Sequence, residues 1–161
     1  MWPAIRRRGA NAATRSSRCA TSKALKARSL LAALWAGQLL TVALLAAPNA
    51  FATLARPEAG AYVGRLFLLD ARLSLVLGVL LILSEQRLQR QAHPERLQFN
   101  AALWLPLLAV FLTVLGFEVL QPLMLQAKEL GQTRFAWLHA GSMAAFAAKT
   151  VVVLALAWKT R

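Results

Sequence analysis

GRLFLLDARLSLVLGVLLIL, residues Gly64–Leu83, is long enough to cross a bilayer and yet carries Arg65, Asp70 and Arg72. A spanning helix needs roughly 20 mostly apolar residues, because the hydrocarbon is about 30 Å thick and a helix rises about 1.5 Å per residue. Each Asp or Arg at the centre of such a helix costs about 2.5–3.5 kcal/mol, whereas each Leu, Ile, Val or Phe returns about 0.3–0.6 kcal/mol. The helix is therefore marginal alone, and we expect it to enter the membrane with partners that satisfy its charges.

The composition of the whole chain indicates that the bilayer is its solvent. Of the 161 residues, 58% are hydrophobic and 16% are charged, against about 45–50% and about 25% in an ordinary soluble domain. The sequence predicts an all-α integral membrane bundle of four transmembrane helices within residues 29–161, preceded by a basic tail, Met1–Arg28, that we expect to be disordered. The four predicted spans are Ser29–Leu54, Ala61–Leu83, Ala101–Leu125 and Phe135–Trp158.

The net charge of +13 is distributed unevenly along the chain. In a four-span topology most cations fall on one side: Arg6, Arg7, Arg8, Arg15, Arg18, Lys23, Lys26, Arg28, Arg87, Arg90, Arg96, Lys159 and Arg161. The opposite side holds Arg56, Lys128 and Arg134. By the positive-inside rule both termini face the cytoplasm, so the excess charge is a topology signal. Nucleic-acid binding would need basic residues interleaved with aromatics on a folded face, so we expect none.

The basic tail leaves the cellular location and the processing of the chain open. We expect the cell inner (plasma) membrane, with the first span inserted uncleaved because Ser29–Ala47 is longer than the usual apolar region of a secretory signal. A cleaved signal is the alternative, since small residues surround Phe51. An Arg- and Ser-rich tail without acids also resembles a mitochondrial transit peptide, which keeps a mitochondrial membrane as a further alternative.

Polar residues within the predicted spans fall at two depths. With the rise of about 1.5 Å per residue, an outer layer contains Asn49, Arg65, Glu118, Gln121 and His139, and a middle layer contains Asp70, Arg72 and Lys149. Arg65 and Arg72 share a helix face, whereas Asp70 points roughly 140–160° away from both. Asp70 should therefore face a neighbouring helix, and Lys149 is the group at the right level.

The middle layer contains two cations and one acid, and this imbalance suggests a function. An unpaired charge at that depth is costly, so either Lys149 is neutral, or water enters, or the site accepts an anionic group. We interpret the two layers as an outer-facing site that binds or transports a small ion or anionic solute. Pro48 and Pro122 free carbonyls near the outer layer and are expected to kink their helices there.

A second interpretation comes from a different class of function. The buried charges would then only fix helix packing, and the chain would be a structural or assembly subunit whose charges pair with one another, with a partner membrane protein or with a second copy. Close helix packing is also indicated by the small residues Gly60 and Gly64.

The sequence contains no motif that predicts catalysis. No phosphate-binding loop, serine nucleophile motif or H-E-x-x-H metal motif occurs. The two histidines, His93 and His139, fall on opposite sides of the predicted topology, and Cys19 is the single cysteine. We therefore expect no enzymatic activity, no metal and no cofactor, and the lipid bilayer as the main partner.

Several short motifs resemble one known family in their order and spacing. They are APNAF at 47–51, the glycines at 60 and 64, QPLM at 121–124 and FAWLH at 135–139. Together they resemble the transmembrane protein 205-like family over roughly Leu30–Trp158, and Pro48, Phe51, Pro122 and His139 match its pattern. The resemblance implies a four-helix membrane protein with no known enzymatic activity, which in bacteria is a domain of unknown function and in eukaryotes is linked to resistance to platinum compounds. The basic tail does not belong to that pattern.

Overall fold

The computed structural model describes the backbone of residues 4–92, 100–129 and 134–160, and the side chains of residues 22–91, 100–127 and 134–160. The helices are α1 (Ala4–Thr41), α2 (Ala47–Thr53), α3 (Arg56–Ala92), α4 (Ala101–Val114), α5 (Gln121–Glu129) and α6 (Arg134–Lys159). Two π-helical segments, Val42–Ala46 and Leu115–Leu120, join α1 to α2 and α4 to α5. Arg96 and Arg161, two cations of the topology argument, and His93 lie outside the described residues.

Among the described residues, four helical stretches are long and apolar enough to cross a membrane, which confirms the predicted all-helical, four-span class. They are Ser22–Thr53, Arg56–Gln91, Ala101–Ala127 and Arg134–Lys159, hereafter spans one to four. Each span packs against two others: one and three both contact two and four. The bundle is therefore a square in which spans two and four face each other across its centre.

Exposed Trp and Tyr side chains mark two levels of the bundle surface. Tyr62 and Trp137 are exposed near one end, and Trp104 and Trp158 are exposed near the other. Trp137 and Trp158 are separated along α6 by about 32 Å at the rise of an α-helix. This separation is close to the hydrocarbon thickness of about 30 Å, and Trp and Tyr favour the two membrane interfaces.

The end that holds Arg28, Glu85 and Asn100, which we call the tail end, is tied by hydrogen bonds. Arg28 forms an ion pair with the buried Glu85, and Asn100 donates to Glu85 at 3.2 Å while its Oδ1 caps the start of α4. The opposite end, where spans one and two meet at Leu54 and Arg56, is called the far end.

The bounds of two helices at the tail end differ from the predicted spans. Helix α1 begins at Ala4, within the basic tail Met1–Arg28, because Ala, Arg and Lys are strong helix formers. The second span was predicted to end at Leu83, but α3 continues to Ala92 and Glu85 is only 3% exposed. Both helices extend past the apolar windows, and this extension is what brings Arg28 to Glu85.

The tail half of the bundle is filled by apolar side chains. They form one buried cluster: Ala32, Trp35, Ala36, Leu39, Leu81, Ala109, Val153 and Leu156. Gly78 permits the close approach of α3 to its neighbours here, because a Cβ at this position would overlap the side chain of Val110 and lie 3.2 Å from the ring of Trp35.

The two prolines predicted to kink their helices follow the π-helical segments at the same offset. Pro48 and Pro122 each stand two residues after the last π-helical residue. A proline ring collides with the carbonyl four residues earlier and removes a donor. In each case the residue before the proline donates instead to a carbonyl five residues back, Ala47 to Val42 and Gln121 to Gly116. The interruption of spans one and three therefore lies in the far half of the bundle.

The packing around Gly78 predicts the effect of adding one methyl group. Gly78→Ala should lower the free energy of unfolding by about 1–3 kcal/mol, because overpacking forces neighbours to shift. Gly141→Ala is the matched control, since no atom lies within 4 Å of its Cβ position and the better helix former should be neutral or stabilising. Thermal unfolding of the detergent-solubilised variants measures both, and equal stability of the two variants would contradict the packing described here.

Candidate functional site

A buried ion pair crosses the centre of the bundle. Lys149 on α6 donates from Nζ to Oδ2 of Asp70 on α3 at 2.6 Å, and the two side chains are only 5% and 2% exposed. Their helices lie diagonally opposite, so the pair joins two spans whose backbones are not neighbours in the square. This contact confirms the pairing that the sequence predicted from depth and helix face.

Further hydrogen bonds surround this pair. Gln38 donates from Nε2 to Oδ1 of Asp70 at 2.8 Å, so both carboxylate oxygens accept a hydrogen bond. Ser74 Oγ lies 3.4 Å from Nζ of Lys149 and accepts a 3.0 Å bond from Trp35 Nε1. Three spans thus contribute to one network, and its charges are compensated, as burial in a medium of low dielectric constant requires.

The far half of the bundle contains a cavity of about 490 Å³ that ends on this ion pair. Asp70, Lys149 and Thr113 lie at its inner limit, next to the Trp35–Ser74 contact and the packed tail half. Its walls are mainly apolar, and the large side chains among them are aromatic or thioether: Phe51, Phe67, Phe117, Met124, Phe135, Met143 and Phe146. Nearer the far end the lining includes polar groups of Gln121, His139 and Ser142. All four spans contribute to the lining, so the cavity is central.

The π-helical segments border this cavity. Gly116 and Phe117 belong to the second segment, and Ala47 directly follows the first. Insertions of this kind inside α-helices often occur at functional sites. The two interrupted spans therefore place backbone that departs from α-helical geometry at the cavity rather than in the packed half.

The structure brings together four of the predicted site residues on the cavity. They are Asp70, Lys149, Gln121 and His139. His139 is exposed and its ring stacks on Phe135, with ring centroids 5.9 Å apart. These four form a polar inner limit and a polar mouth that are separated by apolar walls.

The other predicted residues lie on the outer surface, which corrects the two-layer arrangement. Asn49, Arg65, Arg72 and Glu118 are all exposed. For Arg65 and Arg72 the reason lies in the helical wheel of α3: once Asp70 faces inward, a face roughly 140–160° away must point outward. Without Arg72 the interior of the middle layer holds one acid and one base, so the excess positive charge that suggested an anionic ligand is not inside the bundle.

Gln38, Ser74 and Trp35 belong to the site but were missed at the sequence level. Trp35 and Gln38 are three residues apart on α1, and Ser74 is four residues after Asp70 on α3. Both spacings put residues on one helix face, so the sequence could have indicated that these side chains lie together. Within the described residues, no group of at least three His, Cys, Asp or Glu side chains could hold a metal ion.

Comparison with known proteins identifies a family over most of the chain. A family model described as "Domain of unknown function (DUF4149)" matches residues 30–133. The match includes Asp70 and ends before α6, so Lys149 and His139 lie beyond it. No curated protein and no solved structure matches the chain.

The ion pair predicts a specific pattern of stability in a charge-exchange experiment. Asp70→Lys and Lys149→Asp should each lower the free energy of unfolding by about 3–5 kcal/mol, because each leaves two like charges buried together. The double variant should recover most of this loss, since one acid and one base again face each other. Unfolding of the single and double variants in detergent measures the coupling, and additive losses would show that the two side chains do not pair.

Proposed function

The chain belongs to this family of domains without an assigned function, and from its own site we propose that it binds a small molecule inside the membrane. The proposed ligand is uncharged and largely apolar, with a hydrogen-bonding group at one end. The observation that carries the proposal is the central cavity that ends on the buried Asp70–Lys149 pair.

The walls of the cavity favour an apolar ligand over a hydrated ion. Phe67, Phe117, Phe146 and Met143 line it, and such side chains offer large apolar surface and no hydrogen bonds to replace lost water. Its volume of about 490 Å³ falls within the range of about 300–1,000 Å³ typical of small-molecule pockets. This proposal replaces the ion or anionic solute of the sequence interpretation.

The inner limit of the cavity favours a neutral polar group. Asp70 and Lys149 compensate each other's charge, so an anionic group would compete with Asp70 for the ammonium. Lys149 has three N–H donors, of which one bonds Asp70 and another lies at the long distance of 3.4 Å from Ser74. A carbonyl, hydroxyl or ether oxygen of a ligand can accept the remaining donor, beside the ring of Phe146, which lies 4.9 Å from Nζ.

The polar mouth sets the length of the proposed ligand. His139 and Lys149 are separated along α6 by about 15 Å at the helical rise. A molecule whose apolar part fills this distance places one end at Lys149 and the other at Gln121, His139 and Ser142. The closely packed tail half supports binding rather than passage in this conformation.

The orientation and the location are part of the proposal. We infer that the far end faces away from the cytoplasm in the plasma membrane, because the basic residues at the tail end follow the positive-inside rule. The resemblance to the transmembrane protein 205-like family supports a non-enzymatic role, and we propose binding without catalysis.

A purely structural role is the second candidate, and one observation favours it. Asp70 and Lys149 satisfy each other and are nearly inaccessible, so they fix the relative position of spans two and four without any ligand. The two functions differ in whether the cavity takes up water and a small molecule.

A cysteine-labelling experiment separates these two functions. In a Cys19→Ser background, Gly116→Cys places a thiol on the cavity without a clash, because no atom lies within 4 Å of its Cβ position. Leu69→Cys is the matched control: it is equally far along its helix from the Glu85–Asn100 level but 60% exposed on the outer surface. N-ethylmaleimide, a small uncharged thiol reagent, should label Gly116→Cys much faster than Leu69→Cys, because the cavity admits water in which the thiol can ionise, whereas the thiol of Leu69→Cys faces lipid.

The same variant tests for the ligand class with decan-1-ol as the probe and decane as its control. Decan-1-ol should slow the labelling of Gly116→Cys in detergent, whereas decane, which lacks the hydrogen-bonding end, should slow it less. An unlabelled Gly116→Cys would favour the structural role, and equal protection by decane and decan-1-ol would contradict a polar contact at Lys149.

A further inference from the structure

Within the described residues, three charged side chains lie on the outer surface between the two levels marked by exposed Trp and Tyr. Arg65, Arg72 and Glu118 are exposed, and none of them forms an ion pair or a hydrogen bond with another described residue. A charge that faces acyl chains is costly at the membrane centre. These charged side chains on the outer surface of spans two and three therefore require partners from outside the bundle. This surface is separate from the cavity.

The hydrogen bond between Asn100 and Glu85 sets a common level for spans two and three. From that level, at about 1.5 Å per residue, Arg72 lies about 20 Å, Glu118 about 27 Å and Arg65 about 30 Å toward the far end. Arg65 is within one turn of the exposed Tyr62, so its guanidinium can reach the headgroups. Arg72 lies much deeper, near the membrane centre.

The directions of the side chains bring Arg72 and Glu118 to one height. Helical side chains lean toward the N-terminus of their helix. Span two begins at the far end, so Arg72 leans toward the level of Glu118. Span three begins at the tail end, so Glu118 leans toward the level of Arg72. The backbones of Arg72 and Glu118 differ in height by about 7 Å, and the two side chains extend toward each other across this difference.

We propose that two copies of the chain associate through spans two and three, with Arg72 of each copy paired with Glu118 of the other. Spans two and three are neighbours in the square, so a twofold axis along the membrane normal between the two copies places span two of each against span three of the other. Under this axis each residue has the same membrane depth in both copies. Both ion pairs therefore form in one closed interface. Contact through span two alone would instead oppose Arg72 to Arg72.

The apolar part of the same surface fits this partner. Leu69, Leu73 and Val76 are exposed on α3, and Leu108 and Phe111 are exposed on α4. Such side chains pack equally well against a second copy or against lipid, so the charges determine the choice of partner.

Complementary variants on separate copies test this interface. Two differently tagged wild-type chains should co-purify from the membrane of co-expressing cells. Co-purification of Arg72→Glu chains with each other, or of Glu118→Arg chains with each other, should fall about tenfold, because like charges then meet in the membrane. Arg72→Glu co-expressed with Glu118→Arg should restore it, since each of the two contacts then joins an acid to a base. Thermal unfolding of each chain in detergent checks that it is folded.

Two outcomes would overturn the proposal. The first is that differently tagged wild-type chains do not co-purify. The second is that Arg72→Glu co-purifies with Glu118→Arg no better than each variant co-purifies with itself. That second result is expected if Arg72 and Glu118 pair within one chain or if Arg72 binds a lipid phosphate. As a second measurement that does not reverse a charge, Arg72→Cys and Glu118→Cys chains with Cys19→Ser should be joined by a flexible thiol-to-thiol crosslinker that spans the difference of about 7 Å in height, which is too large for a direct disulfide. Absence of that cross-link would also count against the interface.

Discussion

An ionised side chain in the membrane interior needs a partner, and in this bundle the contact between Asp70 and Lys149 meets that need at the centre. Each charge alone would make its span costly to insert, whereas the pair is compensated and both carboxylate oxygens accept hydrogen bonds. The pair also joins spans two and four, which lie diagonally opposite. Through Gln38 and the Trp35–Ser74 contact, span one joins the same network, so the pair connects spans one, two and four in the interior.

The ion pair also divides the bundle into two unlike halves. On the tail side, Trp35 and Leu81 belong to a closely packed apolar cluster. On the far side, spans one and three are interrupted by π-helical segments before Pro48 and Pro122, and a cavity of about 490 Å³ lies between the helices. A small-molecule site in this position ends on an ion pair whose charges compensate each other, and its walls are apolar. It therefore suits an uncharged ligand, whereas a hydrated channel suits an ion.

The sequence predicted what depends on length and depth. The four spans follow from hydropathy, and the Asp70–Lys149 pair follows from equal depth together with the helix face of Asp70. Depth alone does not determine whether a side chain faces the interior, so Arg72 and Glu118 were wrongly assigned to the inside. For Arg72 the helical wheel of the second span had already indicated a direction opposite to Asp70. The Arg28–Glu85 pair was missed because both helices continue beyond their apolar windows. The cavity results from the way four helices pack together. The residue pattern of one helix does not predict it.

The most direct test of the central claim is solid-state NMR on the full chain in lipid bilayers. It would record the dipolar coupling between Nζ of Lys149 and the carboxylate carbon of Asp70, and the transfer of magnetisation from water to Lys149 and to Trp35 Nε1. We expect a direct coupling within the pair, transfer from water to Lys149 through the cavity, and none to Trp35. An absent coupling, or no more transfer to Lys149 than to Trp35, would contradict an ion pair that borders a water-filled cavity.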